Sequence, residues 1–137
     1  MVIREVKLAD LDAISKIYES EMSPLTGEEE PMLADKYLKL LKANAKKSKM
    51  FVLDENGIRG FMWYEKDNGE LNLEDIFVVE RGKGYGRKLI NHLLCEAKKG
   101  KVTKINLDVN TKNLRAISFF KKLGFSTNSL GMSMNLD

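Results

Sequence analysis

A glycine-rich connector between a strand pattern and a helix pattern constrains this chain more than any other feature. The apolar run Ile76-Phe77-Val78-Val79 leads into Arg81-Gly82-Lys83-Gly84-Tyr85-Gly86, which opens the helical pattern Arg87-Lys88-Leu89-Ile90-Asn91-His92-Leu93-Leu94. Three glycines in five residues remove side-chain bulk where the chain turns. Backbone N–H groups can then converge on one concavity beside a helix N-terminus. Unpaired N–H groups and the positive end of the helix dipole coincide there, which suits a phosphate or pyrophosphate. Arg81, Lys83 and Arg87 add positive charge around it.

The spacing excludes two familiar phosphate loops. A dinucleotide turn needs G-x-G-x-x-G, and here the third glycine comes one residue early. A P-loop needs G-x-x-x-x-G-K-[ST], and neither that run nor its hydroxyl residue is present. What remains is R-x-x-G-x-G between strand and helix, for which a bare connector is the competing reading.

A second motif decides between them. Asn113-Leu114-Arg115-Ala116-Ile117-Ser118-Phe119-Phe120-Lys121-Lys122-Leu123-Gly124-Phe125 reads as a short amphipathic helix with Leu114, Ile117, Phe120 and Leu123 at helical spacing. Gly124 stands where a C′ residue would stop it. With the strand Ile105–Val109 before it, this run resembles the second signature of the GNAT-type N-acetyltransferase superfamily, N-x-x-A-i-x-f-Y-x-k-x-G-F. Arg81 to Gly86 resembles the first signature, the acyl-CoA pyrophosphate loop. The two occur in family order, about 30 residues apart, and the resemblance spans roughly Leu71 to Phe125.

The resemblance implies a mixed α/β (α+β) GNAT fold over residues 1–137 as a single domain. Its central, mostly antiparallel, splayed sheet has about seven strands flanked by four helices. Acetyl-CoA is the implied co-substrate, its pantetheine lying between splayed strands like an added strand. The backbone of Phe77, Val78 and Val79 would take the pantetheine. Arg81, Gly82, Lys83, Gly84, Tyr85, Gly86 and Arg87 would take the pyrophosphate. Asn113 and Phe120 would contact the cofactor from their helix, and Lys122 is either a further phosphate ligand or part of a solvated face.

The implied reaction is direct attack of a primary amine on the thioester carbonyl. The amine needs a base to remove its proton, and the oxyanion needs a donor such as a strand N–H. Glu74 is the candidate base. It lies in Leu73-Glu74-Asp75-Ile76-Phe77-Val78, which resembles the L-E-D-x-F-V of polyamine-acetylating members. Alternation would put Glu74 and Asp75 on opposite faces, and Glu74 as a mere cross-strand partner stays open. Two departures stand out. Phe120 occupies the place of the family tyrosine that protonates the leaving thiolate, so departure unaided, through water, or with help from Tyr64 or Tyr85 is expected. The link Val79-Glu80-Arg81 is also short, which shifts the expected pantetheine contacts by up to one or two positions.

Length and composition agree with one domain. At 137 residues the chain supports a single core. No run of eighteen apolar residues occurs, so no membrane span is expected, and the first residues lack a signal-peptide pattern. One cysteine, Cys95, permits no internal disulfide and fits a reducing cytoplasm; its helical position reads as core. Residues 1–80 carry 11 Lys/Arg against 17 Asp/Glu, and residues 81–137 carry 12 against 3. The basic half thus holds the phosphate loop, as a polyanionic cofactor favours. Nucleic acid is the rival ligand of a basic half, but no aromatic-basic platform accompanies it. No metal is expected, since His92, the only histidine, has no ligand partner at metal spacing.

Along the chain the expected order is strand Val2–Val6, helix Leu8–Ser20, loop Ser23–Pro31, helix Met32–Lys46, and hairpin Met50–Leu53/Ile58–Glu65 turning at Asp54–Gly57. Strand Leu71–Val79, a helix ending at Gly100, strand Thr103–Val109, the Asn113 helix and strands near Phe125–Thr127 and Met132–Asn135 complete it. The acceptor is a protein or peptide amine, or a polyamine. Glu19, Glu21, Glu28, Glu29 and Glu30 would either attract it or stand solvated. Trp63 and Tyr64 would line a cleft or pack. A non-catalytic acyl-CoA-binding module is the alternative function, and a second copy of the chain is left open as a partner.

Overall fold

The structure, a computed structural model, describes residues 1–26 and 48–136. They fall into two compact units, Met1–Leu107 and Asp108–Asp137. The first is built on a five-stranded sheet in the order β1 (Val2–Glu5), β2 (Ser48–Asp54), β3 (Ile58–Asp67), β4 (Glu70–Val78) and β5 (Lys104–Leu107). Neighbours are antiparallel except β4 and β5, which run parallel. A parallel pair needs a crossover, and helix α2 (Tyr85–Lys99) supplies it.

Strand alternation assigns the two faces. Met50 and Val52 of β2 pair with Trp63 and Phe61 of β3. These four form a buried cluster with Leu11, Ile14, Ile17 and Tyr18 of helix α1 (Leu11–Thr26). Ile14 and Phe61 are fully buried, and each such side chain contributes roughly 1.5–3 kcal/mol. The opposite face carries Leu53, Met62, Leu71 and Leu73, and α2 contributes the buried Leu89, Ile90 and Leu93. The local turns follow their residues. Asn56 and Gly57 take positive φ between β2 and β3, and Asn68 and Gly69 do so between β3 and β4.

In the second unit, α3 (Leu114–Lys122) is capped by Asn113, whose Oδ1 accepts from the N–H of Ala116 at 3.2 Å. Gly124, at φ 105°, ends it as expected. Phe120 is buried, edge-on to Phe119 and Phe125, whereas Leu114 is exposed rather than inward.

Several boundaries differ from expectation. The first helix begins with a 3₁₀ turn at Leu8–Asp10 that leaves Leu8 exposed, and it continues past Ser20 to Thr26. Strand β5 is shorter than Thr103–Val109. The strands expected near Phe125–Thr127 and Met132–Asn135 do not form: residues 125–136 have no regular structure, and Leu130, Met132, Met134 and Leu136 are exposed. Alternating apolar residues make a strand only where a neighbouring strand takes their backbone groups. Of the expected seven strands and four helices, the described residues hold five strands and three α-helices. The helix expected at Met32–Lys46, and Glu28, Glu29 and Glu30, lie outside the described residues.

Candidate active site

The β4–β5 ladder stops early. Its rungs run from Glu70↔Lys104 to Leu73↔Leu107, whereas β4 stays paired with β3 as far as Gly60↔Val78. β5 itself ends at Leu107, so beyond Leu73 the edge of β4 away from β3 carries no strand pairing in the first unit; this open edge is the fork, and its crotch lies at Leu73 and Leu107. Gly60 keeps the β3 side tight. A Cβ there would come within 2.9 Å of the Phe77 carbonyl and 3.0 Å of Val78 Cγ1. Here glycine inside a strand marks close backbone approach, a signal visible in the sequence.

A bulge sits at the crotch. Trp63 pairs with Asp75 and Tyr64 with Leu73, so Glu74 is the extra residue on β4. Alternation from Leu73 puts Glu74 on the α1 face. Asp75, opposite Trp63, belongs to that same face. The expectation that the two carboxylates occupy opposite faces is corrected by this one-residue phase shift. Glu74 is exposed and Asp75 half-buried.

Beyond the bulge, backbone parity sorts the expected pantetheine contacts. The N–H of Val79 donates to the Arg59 carbonyl at 2.9 Å, so its donor is used by the β3 side and is not available to a ligand in the fork. Alternate residues of a strand direct their N–H and C=O to opposite edges. Phe77 therefore shares Val79's edge, and Ile76 and Val78 present theirs to the fork. The Phe77 ring packs with Tyr18 and Phe61, both at 5.5 Å between centroids.

The glycine loop follows directly. Gly82 and Gly84 adopt φ of 85° and 78°, values that L side chains avoid. A Cβ at either would meet nothing within 4 Å, so both border open space that a side chain would fill. Gly84 is the N-cap of α2 and offers no side-chain acceptor. The first-turn N–H groups of Tyr85, Gly86 and Arg87 have no acceptor within an α-helix. Arg81, Lys83 and Arg87 are exposed around them. Open space, helix-terminal donors and three cations fit a pyrophosphate.

Tyr85 shows how the loop is held. Its ring is buried and its hydroxyl donates to Glu55 Oε2 at 2.8 Å. The bond to Glu55, with burial second, raises the phenol above its usual range. This hydroxyl is committed to the β2–β3 turn and not to a leaving group. Tyr64, the other candidate acid, is buried on the α2 face and stacked on Phe51 at 6.0 Å. Burial, and then Glu96 and Glu5, push it up to about 12. Sequence reasoning missed Glu55, because nothing local links it to Tyr85.

Asn113 and Phe120 belong to the second unit, where Asn113 caps α3 and Phe120 is packed among aromatics. Lys122 is exposed. His92 packs on Phe51 at 4.6 Å between ring centres, as expected of a packing residue. Cys95 is exposed, contrary to the expected core position. Trp63 and Tyr64 are both buried on opposite sheet faces. Among the described residues no group of three or more His, Cys, Asp or Glu side chains could hold a metal ion, and no helix is long and apolar enough to cross a membrane.

The β4 strand, open along one edge beyond Leu73, leads directly into the glycine loop at the N-terminus of α2. The chain belongs to the acetyltransferase (GNAT) family, whose sequence profile matches residues 11–125. It is similar in fold to a possible acetyltransferase from Clostridium difficile 630, with a TM-score of 0.81 and 23% identity over 99% of this chain and 97% of that one. The PaiA N-acetyltransferase of Thermoplasma acidophilum, solved in complex with coenzyme A, aligns at TM-score 0.77 and 16% identity, covering 95% of this chain and 92% of its own. A ribosomal-protein-alanine N-acetyltransferase from Brucella melitensis aligns at TM-score 0.77 and 22% identity over 92% and 85% of the two chains. No curated protein matches the chain.

Proposed function

We propose that this protein is an N-acetyltransferase that moves the acetyl group of acetyl-CoA directly to a primary amine, with residues 1–137 acting as one catalytic domain. The observation that carries this reading is the coincidence of the fork and the loop. The same strand, β4, ends its ladder with β5 at Leu73 and delivers the chain into Gly82–Gly86 at the far end. A ligand with an extended arm and a pyrophosphate head fits that layout. The solved relative with bound coenzyme A supports the ligand class.

Each residue then has a task. The first-turn N–H groups of α2, with Arg81, Lys83 and Arg87, hold the pyrophosphate. The fork-facing backbone of Ile76 and Val78 binds the pantetheine as an added strand would. Acetyl-CoA supplies the activated thioester. Glu74, re-aimed by the bulge, takes the proton from the amine, directly or through water. No tyrosine is assigned to protonate the departing thiolate, because Phe120 has no hydroxyl and Tyr85 donates to Glu55. A thiol is acidic enough to leave as thiolate near neutral pH.

Titration calorimetry with acetyl-CoA tests the cofactor site. Binding by the native protein and its loss in Gly84→Glu, which places a carboxylate at the helix N-terminus, is the expected pair of results. Thiol release on adding amines then tests transfer. Tight binding with no release across peptides, polyamines and aminoglycosides would favour the acyl-CoA-binding module instead. Absence of binding to any acyl-CoA would overturn the reading.

A further inference from the structure

The two faces of the sheet differ sharply at the crotch. On the α2 face the rungs are apolar, with Leu71 opposite Ile105 and Leu73 opposite Leu107. On the α1 face a polar row crosses four strands in register: Ser48 opposite Glu65, Glu65 opposite Asn72, and Asn72 opposite Asn106. Two hydrogen bonds tie it together. Ser48 Oγ donates to Glu65 Oε1 at 3.2 Å, and Asn106 Nδ2 donates to Asn72 Oδ1 at 3.1 Å. Ser48 is 1% exposed, and Glu65, Asn72 and Asn106 are half-buried, so none of the row is fully solvated.

Given the acetyl-transfer reading, we infer that the Asn72–Asn106 amide pair is the positioning element for the acceptor, and that the acceptor is an amine carrying a second ammonium group. Three features converge on this. First, the pair occupies the last rung but one of the β4–β5 ladder, and Glu74 follows Asn72 by two residues on the same face. Two residues of strand span roughly 6–7 Å, the reach of a short diamine. Second, one Asn–Asn hydrogen bond uses one amide oxygen and leaves the other outside that bond, whichever way the amides are turned. An ammonium group has donors and no acceptor, so it matches that oxygen. Third, Glu65 flanks the pair on the next strand, while Glu74 and Asp75 stand beyond it. The non-reacting ammonium is held at Asn72, Asn106 and Glu65 while the reacting amine faces Glu74.

The test uses 1,4-diaminobutane and butylamine as probes, with thiol release read for the native protein and the double variant Asn72→Leu, Asn106→Leu. Leucine keeps the volume and removes the hydrogen-bonding groups. The expected result is a diamine preference in the native enzyme. In the variant the KM for diaminobutane rises about tenfold or more, while KM for butylamine and the calorimetric Kd for acetyl-CoA stay as they were. Should that variant fail to fold, Asn106→Asp, which adds charge without changing shape, is expected to lower KM for the diamine. Equal use of both amines, an unmoved diamine KM, or a Kd for acetyl-CoA that weakens in parallel overturns the inference. Failure of the native protein to bind acetyl-CoA or to acetylate either amine or any peptide is a different result, and it sinks the acetyl-transfer reading itself.

Discussion

The hydroxyl of Tyr85 lies 2.8 Å from Oε2 of Glu55, across 30 residues of sequence. This bond fastens the first residue of α2 to the turn between β2 and β3. Glu55 is itself fixed, since its N–H donates to the Gly57 carbonyl and its own carbonyl accepts from Arg59 Nε, both at 2.9 Å. A loop whose glycines have little conformational preference is thereby anchored at its helix end.

Tyr85→Phe is expected to weaken acetyl-CoA binding several-fold by calorimetry and to lower the melting temperature. The pH dependence has a definite sign. The folded phenol is raised above its unfolded value of 10.0, so its contribution is complete below pH 10 and fades as pH climbs through the folded value. The gap in melting temperature between native and variant protein should therefore narrow above pH 10.

At Gly60 the expectation is steric. An alanine Cβ within 2.9 Å of the Phe77 carbonyl cannot be relieved by a side-chain rotation. Gly60→Ala should cost about 1–3 kcal/mol in urea unfolding and should also weaken acetyl-CoA binding, because β4 must move. Gly57→Ala, where nothing lies within 4 Å but φ is 116°, should cost about 1 kcal/mol and leave the fork intact.

Asp10 marks where acid will act on the first unit. It accepts from Arg4 at 2.7 and 3.0 Å and from the N–H of Lys7 at 2.8 Å. The Arg4 bond is the leading cause that holds its carboxyl below the usual 3.8. A depressed carboxylate stabilises the fold above its unfolded value and ceases to do so as pH falls through the folded one. Asp10→Asn should cost about 1–2 kcal/mol at pH 7, and the difference from native protein should vanish well below pH 4.

Glu74→Gln separates chemistry from binding. It keeps the shape at the bulge and removes the base. Turnover measured by thiol release should fall about 100-fold, with the Kd for acetyl-CoA unchanged. An undiminished rate would remove Glu74 from the mechanism and turn attention to Asp75 on the same face.

Much of this was legible because it is local. Asn56-Gly57 specifies a hairpin turn, Gly82 and Gly84 supply the positive φ before α2, and Gly124 stops α3; each needs only its neighbours in the chain. The family signatures are local in the same sense. The boundaries that failed depended on distant partners. Met132 and Met134 alternate like a strand, yet alternation cannot supply the second ladder that makes one. Leu8 fits a helical stripe, but the bidentate Arg4–Asp10 pair accompanies a 3₁₀ turn that leaves Leu8 outside.

By itself, then, the sequence determined the order of most elements, the turn residues, the glycine loop and membership of the acetyltransferase family. Tertiary structure alone decided the register. The extra residue at Glu74 puts Glu74 and Asp75 on one face, and the Ser48–Glu65–Asn72–Asn106 row exists only once four strands align. The Tyr85–Glu55 bond belongs to the same class. A one-residue slip in a strand exchanges its faces while leaving every local propensity unchanged, so only the packing of the whole sheet can choose between them.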